Sequence, residues 1–139
     1  MQQHDVTARV STAGVARKGE KYLVALRKPG SSIGESWEFP GGKQLESETP
    51  QETLKREYKE EFSVEIVVGD PLYTGYFENR NTHYRLEAFE VQLISDSFVL
   101  NEHQAIRWIS LKDLKRLPMA FSDRSILQHL QKQEDKTAE

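Results

Sequence analysis

Residues 37–64 read WEFPGGKQLESETPQETLKREYKEEFSV. The middle of this stretch marks the start of a helix. Thr49 stands at the N-cap, Pro50 at the first helical position and Glu52 three residues after Thr49, the reciprocal pattern of a capping box. The spacing predicts a helix from Pro50 to Phe62. At about 100° per residue its side chains sort into sectors. Leu54, Tyr58 and Phe62 form an apolar stripe suited to packing on a sheet, and Lys55, Lys59 and Arg56 take the next arc. Glu57, Glu60 and Glu61 fill the remaining arc, with Glu57 facing Glu60 at i+3 and Glu61 at i+4. Each such like-charge pair costs roughly 0.2–0.5 kcal/mol. Carboxylates near the helix C-terminus add about 0.3–1 kcal/mol. Taken alone, the helix leaves two readings open. It is a solvated acidic face, or it is a cradle for a hard divalent cation such as Mg²⁺ or Mn²⁺.

The flanking sequence alternates strands and loops. VTARVSTAGVAR and KYLVALR, separated by KGE, predict a hairpin. KPGSSIGES predicts a loop, WEF a short strand ending at PGG, and KQLESE a second loop. Paired glycines after a strand free the backbone and let a main-chain carbonyl approach an ion. Downstream, VEIVVG, LYTGYF, HYRLEAFEVQLI and IRWIS predict strands and LKDLKRL a short helix. SDRSILQHLQK predicts a terminal helix capped by Ser122, with Ile126, Leu127 and Leu130 facing inward. The polar tail after Lys132 is expected to fray. Trp37 and Trp108 are expected in the core. The class is α/β around a mixed sheet, in one domain spanning residues 1–139.

A chain of 139 residues is long enough for one domain with a sizeable core. Its net charge of -3 gives no general reason to bind nucleic acid or an anionic membrane, so a polyanionic ligand would need a local cation. The sequence has no cysteine, which excludes disulfides and thiolate metal sites and fits a reducing compartment. MQQHDVTARV lacks the basic-then-apolar pattern of a secretory leader, and no apolar run approaches the roughly 20 residues that span a bilayer. The expectation is a soluble cytoplasmic protein.

The helix gains meaning from what precedes it. Gly42, five residues, Glu48, seven residues, then Arg56-Glu57-Tyr58-Lys59-Glu60-Glu61 resembles the Nudix box, Gly-x5-Glu-x7-Arg-Glu-U-x-Glu-Glu-x-Gly-U with U bulky and apolar. Tyr58 and Val64 stand at the U positions, and Ser63 replaces the second glycine. WEFPGGK, the strand ending in Arg27 and NEHQAIRW (residues 101–108) are similar to the MutT-like branch, and the resemblance runs from about Val6 to Leu130. It implies the Nudix α/β/α sandwich. A serine at position 63 implies either a left-handed residue strained by roughly 1 kcal/mol or a turn of another shape.

The resemblance also implies chemistry: hydrolysis of a nucleoside diphosphate linked to another moiety, with Mg²⁺ or Mn²⁺ as cofactor. Carried over residue by residue, Glu57, Glu60, Glu61 and the Gly41 carbonyl hold metal. Arg56 and Glu48 form an ion pair that orients the carboxylates, and Gly42 shapes the motif. The general base is Glu57 or Glu102. The acid that some relatives place before the tryptophan is Arg107 here. His103 is expected on the surface, with a proton shuttle as the alternative. Arg27 matches a nucleotide-contacting arginine, and Lys43 could meet a phosphate. Phe39 lies either against the base or in the core. Asp123 either reads a base edge or simply favours a helix N-terminus.

The implied substrate is a nucleoside triphosphate, cut to the monophosphate and pyrophosphate, with an oxidised one such as 8-oxo-dGTP as the leading case. CTP or another pyrimidine nucleotide is the alternative that NEHQAIRW suggests. ADP-ribose is disfavoured because YFENRN (residues 76–81) lacks the proline common in enzymes for it. Removal of pyrophosphate from RNA 5′ ends is a further alternative, although no basic stripe is present to track a strand. A nucleotide-binding module without activity is the non-enzyme alternative. The expected partner is a small-molecule nucleotide, with no nucleic-acid or membrane partner. A monomer is expected.

Overall fold

Strand β1 (Arg9–Lys18) organises the sheet. Its start pairs antiparallel with β4 (Gly41–Lys43), and its end makes the predicted hairpin with β2 (Lys21–Arg27). Its other edge pairs parallel with β6 (Thr82–Leu93), which pairs antiparallel with β5 (Ile66–Asn79). Strand β2 also pairs with β3 (Trp37–Glu38) and with β7 (His103–Ser110). Helix α1 is Pro50–Phe62, α2 is Leu111–Leu114 and α3 is Phe121–Ala138. The structure, a computed structural model, describes residues 8–30 and 35–138. Val6 and Thr7 of the first predicted strand and residues 31–34 of the predicted loop lie outside the described residues.

The sheet has a core on each face. Side chains alternate along a strand, so Tyr22 and Val24 join one core while Leu23 and Ala25 join the other. The first core is closed by Ile126, Leu127 and Leu130 of α3 and by Leu111 and Leu114 of α2. The second is closed by Leu54, Tyr58 and Phe62, the stripe expected of α1. This is the α/β/α sandwich. Tyr58 is fully buried, and its hydroxyl donates to the Gly14 carbonyl at 3.0 Å, so its polar tip is satisfied.

Four expectations need correction. VEIVVG and LYTGYF are one strand, β5, with register shifts around Pro71, which cannot donate to a ladder. The chain does not pass from WEF through PGG straight into a loop at Lys43: Gly41–Lys43 is strand β4, because Gly41 and Gly42 pair with Ala13 and Thr12. Helix α3 begins at Phe121, before Ser122, so Ser122 is not its cap. The helix also continues past Lys132 to Ala138, because a polar tail of good helix formers still propagates a helix that is already anchored. Trp37 is buried as expected, whereas Trp108 is half-buried beneath Lys18 Nζ, 4.7 Å from its ring centroid. Among the described residues no helix is long and apolar enough to cross a membrane.

Candidate active site

The capping box forms as predicted, with Glu52 N–H donating to Thr49 Oγ1 (3.1 Å) and Thr49 N–H to Glu52 Oε1 (2.8 Å). With its start fixed, α1 presents Arg56 to Glu48. Arg56 Nε donates to Glu48 Oε2 at 2.6 Å and Nη2 to Oε1 at 3.1 Å, a fork-on-fork pair. The Arg56 guanidinium, helped by donation from Leu45 N–H and Thr53 Oγ1, holds the Glu48 carboxyl down at about 2. The remaining nitrogen, Nη1, reaches Glu57 Oε1 at 3.3 Å and Glu60 Oε1 at 3.2 Å. Arg56 thus offsets part of the repulsion within the glutamate cluster. Gly42 lies directly under Glu57, since a Cβ there would strike the Glu57 carboxylate. Any other residue would displace that side chain.

A second group lies deeper, and the sequence reading missed half of it. Strands β2 and β7 pair regularly up to Leu26 with Ala105, then shift so that Arg27 faces His103. Gln104 is the extra residue of this bulge and donates to the Arg27 carbonyl at 2.7 Å. One residue of slip exchanges the faces of a strand, and here it turns His103 inward. The expected surface histidine is therefore buried, 5% exposed, with its ring stacked on Phe62. Its Nε2 lies 2.8 Å from Glu38 Oε2 and 3.8 Å from Glu61 Oε1. Arg27 completes the row, with Nε at 2.8 Å and Nη2 at 2.7 Å from Glu38 Oε1. A signal for Glu38 was available. It stands between Trp37 and Phe39 in a short strand, and alternation sends it to the face opposite those core rings.

Ser63 settles the end of α1. It is left-handed, φ 58° and ψ 36°, and its N–H caps the helix at the Lys59 and Tyr58 carbonyls. The chain before β7 seals the same end: Val99 N–H donates to Phe62 O (2.9 Å), Asn101 N–H to Glu61 O (3.0 Å) and Asn101 Nδ2 to Glu60 O (2.9 Å). This plug fixes where Glu102 and His103 follow.

The two groups meet in a cleft of about 620 Å³. Arg27, Gly41, Gly42 and Lys43 line one part, and Arg56, Glu57, Glu61 and Glu102 another. Lys43 Nζ sits 5.3 Å from the Tyr84 ring centroid. Glu60 is half-exposed and held by Arg56, beside the cleft rather than in its wall. Phe39 is core, 2% exposed, and its N–H donates to Asp123 Oδ2 at 2.6 Å. Asp123 is buried, with Ser122 Oγ donating to its other oxygen. Neither the Phe39 ring nor the Asp123 carboxyl is open to a base in this structure. A larger cleft, about 760 Å³, lies against the far end of β1. Its carboxylates are not gathered: Asp96 there is exposed and pairs with Lys18.

Burial raises the carboxyls of the cleft. Glu57 is pushed up to about 7 by desolvation, with Glu60 and Glu102 adding repulsion against the pull of Arg56. Glu61 is pushed up to about 10 by desolvation and by the charges of Glu38, Glu57 and Glu102.

The profile described as NUDIX domain matches residues 7–130. The chain belongs to the Nudix family. It is a MutT-like Nudix hydrolase, of the class acting on acid anhydrides. It is 30% identical over 116 residues to the CTP pyrophosphohydrolase of Escherichia coli (strain K12), covering 84% of this chain and 86% of that one. It is 30% identical over 121 residues to an 8-oxo-dGTP diphosphatase of Buchnera aphidicola, covering 85% and 88%. The solution structure of the E. coli ORF135 protein superposes with a TM-score of 0.78 at 26% identity, covering 90% of this chain and 89% of that one. A MutT protein of Methanosarcina mazei superposes at 0.79 with 21% identity, covering 95% and 96%, which shows the fold alone.

Nudix hydrolases generally need a divalent metal. The residues present fit one. Glu61 Oε1 is a buried carboxylate oxygen with no hydrogen-bond partner, and carboxylates of Glu57 and Glu102 border the same cleft. An all-oxygen, anionic donor set suits a hard cation. The raised carboxyls are what such a cluster shows when no cation balances it.

Proposed function

We propose that this Nudix hydrolase cleaves a nucleoside triphosphate to the monophosphate and pyrophosphate, with Mg²⁺ or Mn²⁺. The observation that carries the reading is the convergence of Glu57, Glu61 and Glu102 with Arg27 and Lys43 on one cleft. Acidic groups alone repel a triphosphate, and two cations at their edge give it a landing place. Glu57, Glu60, Glu61 and the Gly41 carbonyl hold the ion. A bound ion supplies charge neutralisation on phosphate oxygens and lowers the pKa of an attacking water. The Glu48–Arg56 fork keeps Glu57 and Glu60 turned toward their task. Of the two candidate bases, Glu57 is committed to Arg56 and the ion. We therefore assign the proton of the attacking water to Glu102.

Asp123 serves this site from behind. Burial pushes its carboxyl up to about 7, and it holds the Phe39 N–H just ahead of Gly41 and Gly42. An oxidised purine nucleotide such as 8-oxo-dGTP is the leading substrate, supported by relatives named for it. A pyrimidine triphosphate is the second reading, supported by NEHQAIRW and by the relative named for CTP. A cytoplasmic location fits the absence of cysteine.

The test is a substrate panel with Mg²⁺ and with Mn²⁺: 8-oxo and common nucleoside triphosphates, CTP, ADP-ribose, dinucleoside polyphosphates and triphosphorylated RNA. Pyrophosphate release from a triphosphate is expected. Glu57→Gln should lower it on the order of 10³-fold, the several kcal/mol that an ion contributes to charge stabilisation. Binding without cleavage of any substrate would replace the enzyme reading with that of a nucleotide-binding module.

A further inference from the structure

We propose that His103 is a positioning residue: an Nε2–H donor that, with Arg27, fixes the Glu38 carboxylate beside Glu61 and thereby sets the surroundings in which the Glu61 carboxylate meets an ion. The proposal rests on the metal-cradle reading of Glu61.

The tautomer follows from the partners. Glu38 Oε1 accepts from Arg27 Nε at 2.8 Å with Nη2 2.7 Å away, so Glu38 faces the guanidinium as an acceptor. Its other oxygen, 2.8 Å from His103 Nε2, accepts as well, which makes Nε2 the protonated nitrogen. His103 Nδ1 is buried without a partner. A buried N–H left unpaired is costlier than an idle lone pair, so Nδ1 carries no proton. The same placement argues against a proton shuttle, which needs one nitrogen turned to the reacting water. Here Nε2 is taken by Glu38, and Nδ1 is shut in.

Glu61 is where the tie matters. The residue borders the cleft, and its Oε1 is buried 3.8 Å from His103 Nε2 without a hydrogen-bond partner. The N–H of His103 is spent on Glu38 and lies 3.8 Å from the Glu61 oxygen, beyond hydrogen-bond length, so it fixes Glu38 beside Glu61 rather than bonding Glu61 itself. The stack of the imidazole on Phe62, the residue after Glu61, keeps that donor from swinging away. The bulge at Gln104 aims His103, so the row Arg27–Glu38–His103–Glu61 links the nucleotide side of the cleft to the ion side.

The test compares wild type with His103→Phe, which keeps a stacking ring without a donor, and His103→Gln, which keeps a donor without the ring. Long-range ¹H–¹⁵N NMR of the ion-free wild type should show the imidazole protonated at Nε2 and not at Nδ1. Mn²⁺ binding, followed by EPR without substrate, should weaken about tenfold or more in His103→Phe and stay within about threefold in His103→Gln, as for other residues that orient metal-holding groups. Melting temperatures report folding separately. A proton on Nδ1, or Mn²⁺ binding by His103→Phe equal to wild type, overturns the proposal. So does a His103→Gln as weak as His103→Phe with the same loss of melting temperature, which is a packing role. If His103→Phe does not fold, His103→Gln and the NMR spectrum decide. Wild type that binds no Mn²⁺ defeats the cradle reading instead, and the NMR spectrum still judges the hold on Glu38.

Discussion

The cleft is built from two halves that use the same chemistry with opposite results. In the outer half Arg56 grips Glu48 and reaches Glu57 and Glu60. In the inner half Arg27 grips Glu38, while Glu61 lies beyond it, 3.8 Å from the His103 imidazole. Glu48 is held down at about 2 and Glu61 pushed up to about 10. A carboxylate with a two-point guanidinium bond is a structural anion. A buried one whose neighbours are other carboxylates awaits a cation. The Glu48–Arg56 fork is therefore the scaffold and Glu61 the working group, with Glu57 standing between them, and each substitution below tests that division.

The largest effect is expected at Glu61. Glu61→Gln mimics the protonated acid in shape, so the fold should survive and the ion-free protein should melt no lower than wild type at neutral pH. Turnover should fall on the order of 10³-fold, because an ion loses a charged ligand. Activity assays beside calorimetry check this. A variant that loses stability instead of activity would make Glu61 a structural anion like Glu48.

Arg56 comes next, with the effect on the other side of the ledger. Arg56→Lys keeps one charge and loses the fork. Its hydrogen bonds to charged partners in a partly buried setting suggest a cost of about 1–3 kcal/mol in denaturant unfolding. Glu60, half-exposed, should contribute little of that loss. If Arg56→Lys unfolds at the wild-type midpoint, the outer half is not scaffold.

The outer half was legible in the sequence and the inner half was not. The capping box, the i+3 and i+4 glutamates and the Gly42–Glu48–Arg56 offsets are local patterns, and local patterns survive folding. Glu38 and His103 are 65 residues apart, and their meeting depends on a single bulge at Gln104. No periodicity announces such a bulge, and without it alternation along β7 mis-aims the histidine. Strand β4 hid for a related reason, since GGK carries no β propensity and pairs only because β1 offers it an edge. The merger of β5 across Pro71 likewise needed the partner strand β6 to be seen.

A smaller effect separates the halves by pH. In the ion-free protein Glu57 and Glu61 hold protons up to about 7 and about 10, against an ordinary 4.5. The folded state thus binds more protons than the unfolded chain above pH 4.5, and the contribution of these groups to stability falls as pH rises. An ion reverses this by taking the place of the protons. Mn²⁺ affinity should therefore rise with pH, by about tenfold per unit between 7 and 10, where one proton is displaced, and more steeply below 7. Calorimetric titration in buffers of different ionisation heat should register that proton release. Glu48, already ionised, should add no slope in this range. Flat affinity would mean that Glu57 and Glu61 are charged without the ion.

The smallest effect belongs to Ser63, just past both halves. A left-handed serine at φ 58° costs roughly 1–2 kcal/mol that a glycine would not. Part of that cost is offset here, because Ser63 Oγ accepts from Asn101 Nδ2 at 3.3 Å. The same amide also donates to Glu60 O and has a partner without the serine. Ser63→Gly should therefore raise stability by at most about 1 kcal/mol while leaving turnover within twofold of wild type. The serine carries no charge into the cleft, and the plug at Val99 and Asn101 bonds to backbone carbonyls that the substitution leaves in place. If turnover falls while stability rises, the serine is tuning where the plug delivers Glu102 and His103, and the end of the helix would count as part of the working half.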